Sequence, residues 1–240
     1  MNPFACCSSQ IGIGYRLDST GVTNQHPMVP EYKGESCANA DSCFFSEHAI
    51  GVADGVSGVS KRGIDPSLMP NELMRNAHMA TALYHDQPNV FERQVNQLYA
   101  SHDIPLPLTE SGDTYENVAQ MTLIKAAADL KNLGACTALV AALDDTRSKL
   151  HVTTVGDSGL RILRRNMLPW PLLPTYSVVE KSEALMYEFS TPVQIHRIPP
   201  EMPSTQDLIG FLEGRTDRID VAKFDLQVGD VIVAGSDGLL

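Results

Sequence analysis

With 240 residues, 43% hydrophobic and 20% charged, the chain has the length and balance of one globular domain with a sizeable core. Its formal net charge of −11 argues against generic nucleic-acid binding, which relies on Lys and Arg to neutralise phosphates, and against an anionic membrane surface. No window approaches the roughly 20 continuous apolar residues that span a bilayer. The start, Met1-Asn-Pro-Phe-Ala-Cys-Cys-Ser-Ser-Gln10, lacks the basic and apolar regions of a secretory signal, so cytosolic residence is the default expectation. The five cysteines, Cys6, Cys7, Cys37, Cys43 and Cys136, are odd in number and form no CxxC pair. They read as reduced, mostly buried thiols rather than a disulfide framework or a zinc site. The histidines are scattered, and the GxSxG elbow of a serine nucleophile is absent.

In chain order, short strands are expected at 4–14, 43–46 and 49–53. A helix follows, with Pro70 at a tolerated first-turn position and Asn71 and Glu72 adding polar and acidic character there. Leu73, Ala77, Ala80 and Tyr84 recur on one helical face, and Met74 and Met79 flank that stripe as core fillers. Prolines and turn formers over 101–113 predict a surface loop before a second helix from about Tyr115 to Asn132, with Val118, Met121, Ile124 and Ala128 along one side. The middle reads as β structure: Cys136–Leu143, a hairpin loop at 144–148, then Leu150–Val155 returning to Gly156-Asp157, and Leu160–Arg164. Residues 166–188 read as irregular, then polar, 199–203 as a loop, and Asp230–Ala234 as the last strand. The pattern is that of an α+β sandwich in a single domain over 1–240, with no internal repeat.

Two Asp-Gly turns stand out because each follows a short apolar run: Ala49-Ile-Gly-Val-Ala-Asp-Gly55 and Val231-Ile-Val-Ala-Gly-Ser-Asp-Gly238. Alone, Asp-Gly is a common turn dipeptide. A carboxylate at the end of a buried strand also has a rigid support, and two that converge make a hard oxygen site suited to Mg²⁺ or Mn²⁺. Further blocks follow in order: Gly63-Ile-Asp-Pro-Ser67, Glu72-Leu-Met74, Gly134-Ala-Cys-Thr-Ala-Leu139, Thr154-Val-Gly-Asp-Ser-Gly159, Phe189-Ser-Thr-Pro-Val-Gln194 and Gly229 to Leu239. This set resembles the metal-dependent type 2C (PPM-type) protein phosphatases, most closely the small mitochondrial and plastid subgroup.

The resemblance implies a four-layer α-β-β-α fold, two antiparallel sheets flanked by helices, and assigns residues 4–14 to its first strand. It implies that Asp54 bridges two Mn²⁺ or Mg²⁺ ions, with the Gly55 carbonyl and Asp237 as further ligands. Asp157 either holds a weaker third ion or caps its own tight turn. The implied reaction is hydrolysis of phosphoserine or phosphothreonine in a phosphoprotein by a metal-bound hydroxide. The subgroup also implies a mitochondrial alternative to the cytosol. Lys61 and Arg62 are either a phosphate grip or a solvated loop pair.

Two departures qualify the resemblance. Relatives carry a paired acid before the second strand; here Ala40 replaces the first of the two and Asp41 matches the second, so one metal ligand is lost unless Asp41 or Asn39 takes its place. The sequence also stops just after Asp237, short of a further strand, helices and a last metal-binding Asp of the family. The expectation is an incomplete or impaired phosphatase. Two alternatives remain, a pseudophosphatase that binds phosphoproteins or partners without turnover, and an unrelated metal-binding scaffold.

Overall fold

The computed structural model describes residues 15–16, 40–103, 117–144, 148–166, 175–197 and 218–237. Chain order gives β1 (Tyr15–Arg16), β2 (Ser42–Phe45) and β3 (Ala49–Gly55), then a 3₁₀ turn at Ser57–Arg62. Three helices follow, α1 (Leu68–Asp86), α2 (Pro88–Ser101) and α3 (Val118–Ala128). The remaining strands are β4 (Gly134–Leu143), β5 (Lys149–Val155), β6 (Gly159–Asn166), β7 (Thr175–Lys181), β8 (Met186–Glu188), β9 (Thr191–Pro192), β10 (Ile195–Arg197), β11 (Asp220–Asp225) and β12 (Val231–Gly235). The larger sheet runs β11-β5-β4-β3-β2, with β10 also on β4, and the smaller runs β1-β12-β6-β7. Every pairing is antiparallel, so the fold is α+β with antiparallel sheets.

The central strand β4 explains the layering. All ten of its residues are buried, and alternation sends Cys136, Ala138, Val140 and Ala142 to one side and Leu139, Ala141 and Leu143 to the other. The first set is mostly small and meets Met69, Leu73, Met74 and Ala77 of α1 and Met121 and Ile124 of α3. The second packs with Leu160, Ile162 and Ile232 of the smaller sheet. Helices thus cover one face of the larger sheet and the smaller sheet covers the other. A second helical layer, the outer one of the α-β-β-α expectation, has no counterpart among the described residues.

Several local expectations need correction. Helix α2 was not anticipated: Gln87 leaves the helical region after α1, with φ −141° and ψ 64°, and Pro88 starts α2. Met74 is buried, but Met79 is 64% exposed because its position points away from the sheet, not beside the stripe. Glu72 is no first-turn helix-dipole residue. Its carboxylate is buried and accepts the N–H groups of Lys131 (3.0 Å) and Asn132 (2.7 Å), tying α1 to the chain beyond α3. Asp65 begins α1 instead, its Oδ1 accepting from the Ser67 N–H at 2.9 Å and the Ser67 hydroxyl at 2.7 Å. Residues 175–181, read as irregular or polar, form β7, and β11 was not anticipated; both run as edge strands with solvent-facing residues, which blunts the apolar alternation. Cys136 is free and buried, but Cys43 is disulfide-bonded, contrary to the expectation of reduced thiols; an odd cysteine count does not prevent one pair from forming. The strand expected at 4–14 and the loop at 199–203 lie outside the described residues, as does most of the loop at 101–113.

Candidate metal centre

Four carboxylates come from four different strand ends. Asp54 lies in the last turn of the pleat of β3, where it faces Thr137 of β4 in register, and Gly55 faces Cys136. Asp41 immediately precedes β2, the neighbour of β3. Asp157 follows β5 by two residues, and Asp237 follows β12 by two. Antiparallel pairing and sheet stacking bring these ends to one edge of the molecule.

The electrostatics report the convergence. Burial raises the Asp54 carboxyl first. A hydrogen bond and charge repulsion from Asp41, then the charges of Asp237 and Asp157, push it further, to about 7. Asp157 is raised as well, by burial and the Asp237 charge, against a lowering backbone hydrogen bond. The Ser236 hydroxyl reaches Asp41 Oδ2 at 3.4 Å, linking the β12 end to the β2 end. All four predicted carboxylates therefore interact, and Asp41 sits beside Asp54 despite Ala40. Among the described residues no three His, Cys, Asp or Glu side chains close into a ready-made cage, so the cluster is an acidic edge and not a finished coordination shell.

Glycine is required at two of these turns. A Cβ at Gly55 would come within 2.3 Å of the Pro66 carbonyl oxygen and 2.7 Å of that of Ala40. The Gly55 N–H instead donates to the Ala40 oxygen at 3.2 Å, closing the strand end onto the segment that carries Asp41. Gly156 adopts φ +93°, and a Cβ there would meet Thr137 Cγ2 and the Val193 oxygen, each at 2.6 Å. Lys61 and Arg62 lie exposed in the 3₁₀ turn just past this edge. Gly238 lies outside the described residues.

One feature was missed by sequence reasoning. The hydroxyls of Thr137 and Ser158 stand 2.8 Å apart, both buried, between the residue opposite Asp54 and the residue after Asp157. In the sequence Ser158 is one more small polar residue of a Gly-Asp-Ser-Gly turn, and only the β3–β4 register places Thr137 against Asp54. Cys136, next to it, is fully buried; burial and the Asp54 charge push its thiol up, so it stays protonated and inert.

The donor set is all oxygen, and hard divalent cations prefer such ligands. The fold and site define an α+β antiparallel protein with carboxylates gathered at strand ends. No family model matches the chain. It is 30% identical to the human protein phosphatase PTC7 homolog over 213 residues, 86% of this chain and 57% of that protein. It is 28% identical to the probable protein phosphatase 2C 62 of Arabidopsis thaliana over 233 residues, 94% of this chain and 23% of that one. Among solved structures, the photosystem II phosphatase PBCP matches 84% of this chain and 60% of its own, at 24% identity and a TM-score of 0.54, which supports the fold. The chain is thus similar in sequence to type 2C, PPM-type protein phosphatases, and it spans 57% of the human relative's length.

Proposed function

We propose that this chain carries the site of a metal-dependent protein serine/threonine phosphatase acting on phosphoproteins. The observation that carries the reading is the convergence of Asp41, Asp157 and Asp237 on Asp54, strong enough to hold its carboxyl near 7. Four carboxylates from four strand ends bring like charges together around Asp54, and a divalent cation would relieve their repulsion. On this reading Asp54 would be the central metal ligand, with Asp237, Asp41 and the Gly55 carbonyl as further ligands and Asp157 for a weaker additional ion.

Bound Mn²⁺ or Mg²⁺ would supply Lewis acidity to the phosphoryl oxygens and lower the pKa of water toward neutrality. The chain's own contribution is to hold the ligands on rigid strand ends, so that little reorganisation is needed on binding. The position of Asp41 beside Asp54 weighs against one of the two grounds for the pseudophosphatase alternative, the loss of an acid at Ala40. The net charge of −11 is consistent with a protein rather than a nucleic-acid substrate. Among the described residues no helix is long and apolar enough to cross a membrane.

The test is Mn²⁺-dependent release of phosphate from a phosphothreonine peptide, comparing the chain with its Asp54→Ala variant. Activity that disappears in the variant supports the reading. Equal rates in both proteins overturn it.

A further inference from the structure

The Thr137–Ser158 hydroxyl pair belongs to no ligand set, yet it sits where two ligand-bearing segments meet. Thr137 is directly opposite Asp54 across the β3–β4 ladder, so the two side chains leave the sheet on the same face. Ser158 directly follows Asp157. Thr137 is 3% exposed and Ser158 0%, so their 2.8 Å hydrogen bond lies in a low-dielectric interior, where breaking it leaves a buried hydroxyl without its partner.

Two more contacts fix the same turn. The Thr137 methyl fills the space that a side chain at Gly156 would need. On the other side, the Leu185 N–H donates to the Gly156 carbonyl at 2.7 Å, and the Val193 N–H donates to the Leu185 carbonyl at 3.0 Å. The Val193 oxygen lies close over Gly156. The Phe189-Ser-Thr-Pro-Val-Gln194 block thereby gains a role: the base of the β8–β9 hairpin holds the Asp157 turn from outside while Thr137 holds it from inside.

We infer that Thr137 and Ser158 are positioning residues that lock the Asp157 turn to the β3 end, so that Asp157 and Asp54 present their oxygens to divalent cations in a fixed relation. The inference rests on the metal-centre reading above. Groups that orient metal ligands from behind typically contribute about 10–100-fold in metal affinity.

The experiment is Mn²⁺ binding to the purified chain, followed by the electron paramagnetic resonance signal of free Mn²⁺, with folding checked by circular dichroism. Thr137→Val is nearly isosteric and removes only the hydroxyl; Ser158→Ala removes its partner with the smaller perturbation. Each is expected to weaken Mn²⁺ binding roughly tenfold in a folded protein. The double variant should lose no more than either single one, since both delete the same bond. Thr137→Ser, which keeps the hydroxyl, should stay within about twofold of the parent.

Unchanged Mn²⁺ affinity in folded Thr137→Val or Ser158→Ala overturns the inference, and so do additive losses in the double variant. If Thr137→Val does not fold, Ser158→Ala and Thr137→Ser decide the matter by the same criteria. A parent chain that binds no Mn²⁺ overturns the metal-centre reading itself, a result distinct from normal binding in the parent with no effect of the variants.

Discussion

The strand β12 carries an acidic residue at each end, and the two live in opposite electrostatic worlds. At its start Asp230 is fully buried and gripped by Arg164, whose Nε donates to Oδ1 at 2.8 Å and Nη2 to Oδ2 at 2.7 Å. The Gln227 N–H adds a third bond at 2.8 Å. Burial alone would raise the Asp230 carboxyl, but these donors and the Arg164 charge outweigh it and hold it below the ordinary carboxylate range. At the other end Asp237 is exposed and adds its charge to a group of carboxylates that raise Asp54. A paired, buried Asp is structural; a crowd of like charges at a strand end fits the proposed cation site. The same five residues of β12 separate the two cases.

The largest effect should come from the crowded end. On the proposed reading, Asp54→Ala is expected to lower Mn²⁺-dependent dephosphorylation by roughly 100-fold or more, since it removes the carboxylate around which the other three gather. The matching change at the paired end should spare the chemistry and strike the fold. Asp230→Asn leaves the Arg164 guanidinium without its counter-charge and should cost about 3 kcal/mol in urea unfolding. Replacing both partners with apolar residues, Arg164→Met with Asp230→Leu, should recover much of that loss. If the double replacement is as unstable as the single one, the pair does more than cancel its own burial.

The pH dependence should run in opposite directions at the two ends. With Asp54 raised to about 7, the folded protein holds a proton that the unfolded chain gives up near 4. Its contribution is therefore full below about 4 and is lost as pH rises through about 7. Melting temperatures of chelator-treated protein should fall over that window, the slope should flatten in Asp54→Asn, and Mn²⁺ at pH 8 should restore the parent but not the variant. Asp230 behaves oppositely: its stabilisation is present above the ordinary carboxylate range and lost as pH falls through its depressed value. Acid titration of Asp230→Asn should accordingly show a shallower loss of stability below pH 4 than the parent. The smallest effect belongs to Lys61 and Arg62, exposed beyond the site. Their joint replacement by Gln should raise KM for a phosphopeptide a fewfold if they grip phosphate and change nothing if they are a solvated pair.

Two of the four carboxylates, Asp54 and Asp237, were legible in local grammar, whereas Asp41 and Asp157 came only through the family resemblance. An apolar run followed by Asp-Gly places a carboxylate on a strand end whatever the rest of the chain does, and β3, β4, β5 and β12 fall where the runs predict. Periodicity also found α1 and α3, with Leu73, Ala77 and Ile124 in the core. What it could not supply was partnership. The sequence has no means of saying that Glu72 reaches residues 131 and 132, that Arg164 reaches Asp230, or that Thr137 finds Ser158, because each pair is far apart in sequence and is joined only by sheet register and helix packing. The exposure of Met79 and the edge strands β7 and β11 were lost for the same reason. Short-range preferences decide which residues end a strand. Which of those ends share an edge, and which of their carboxylates find a cation within the protein, is settled only when the sheets close.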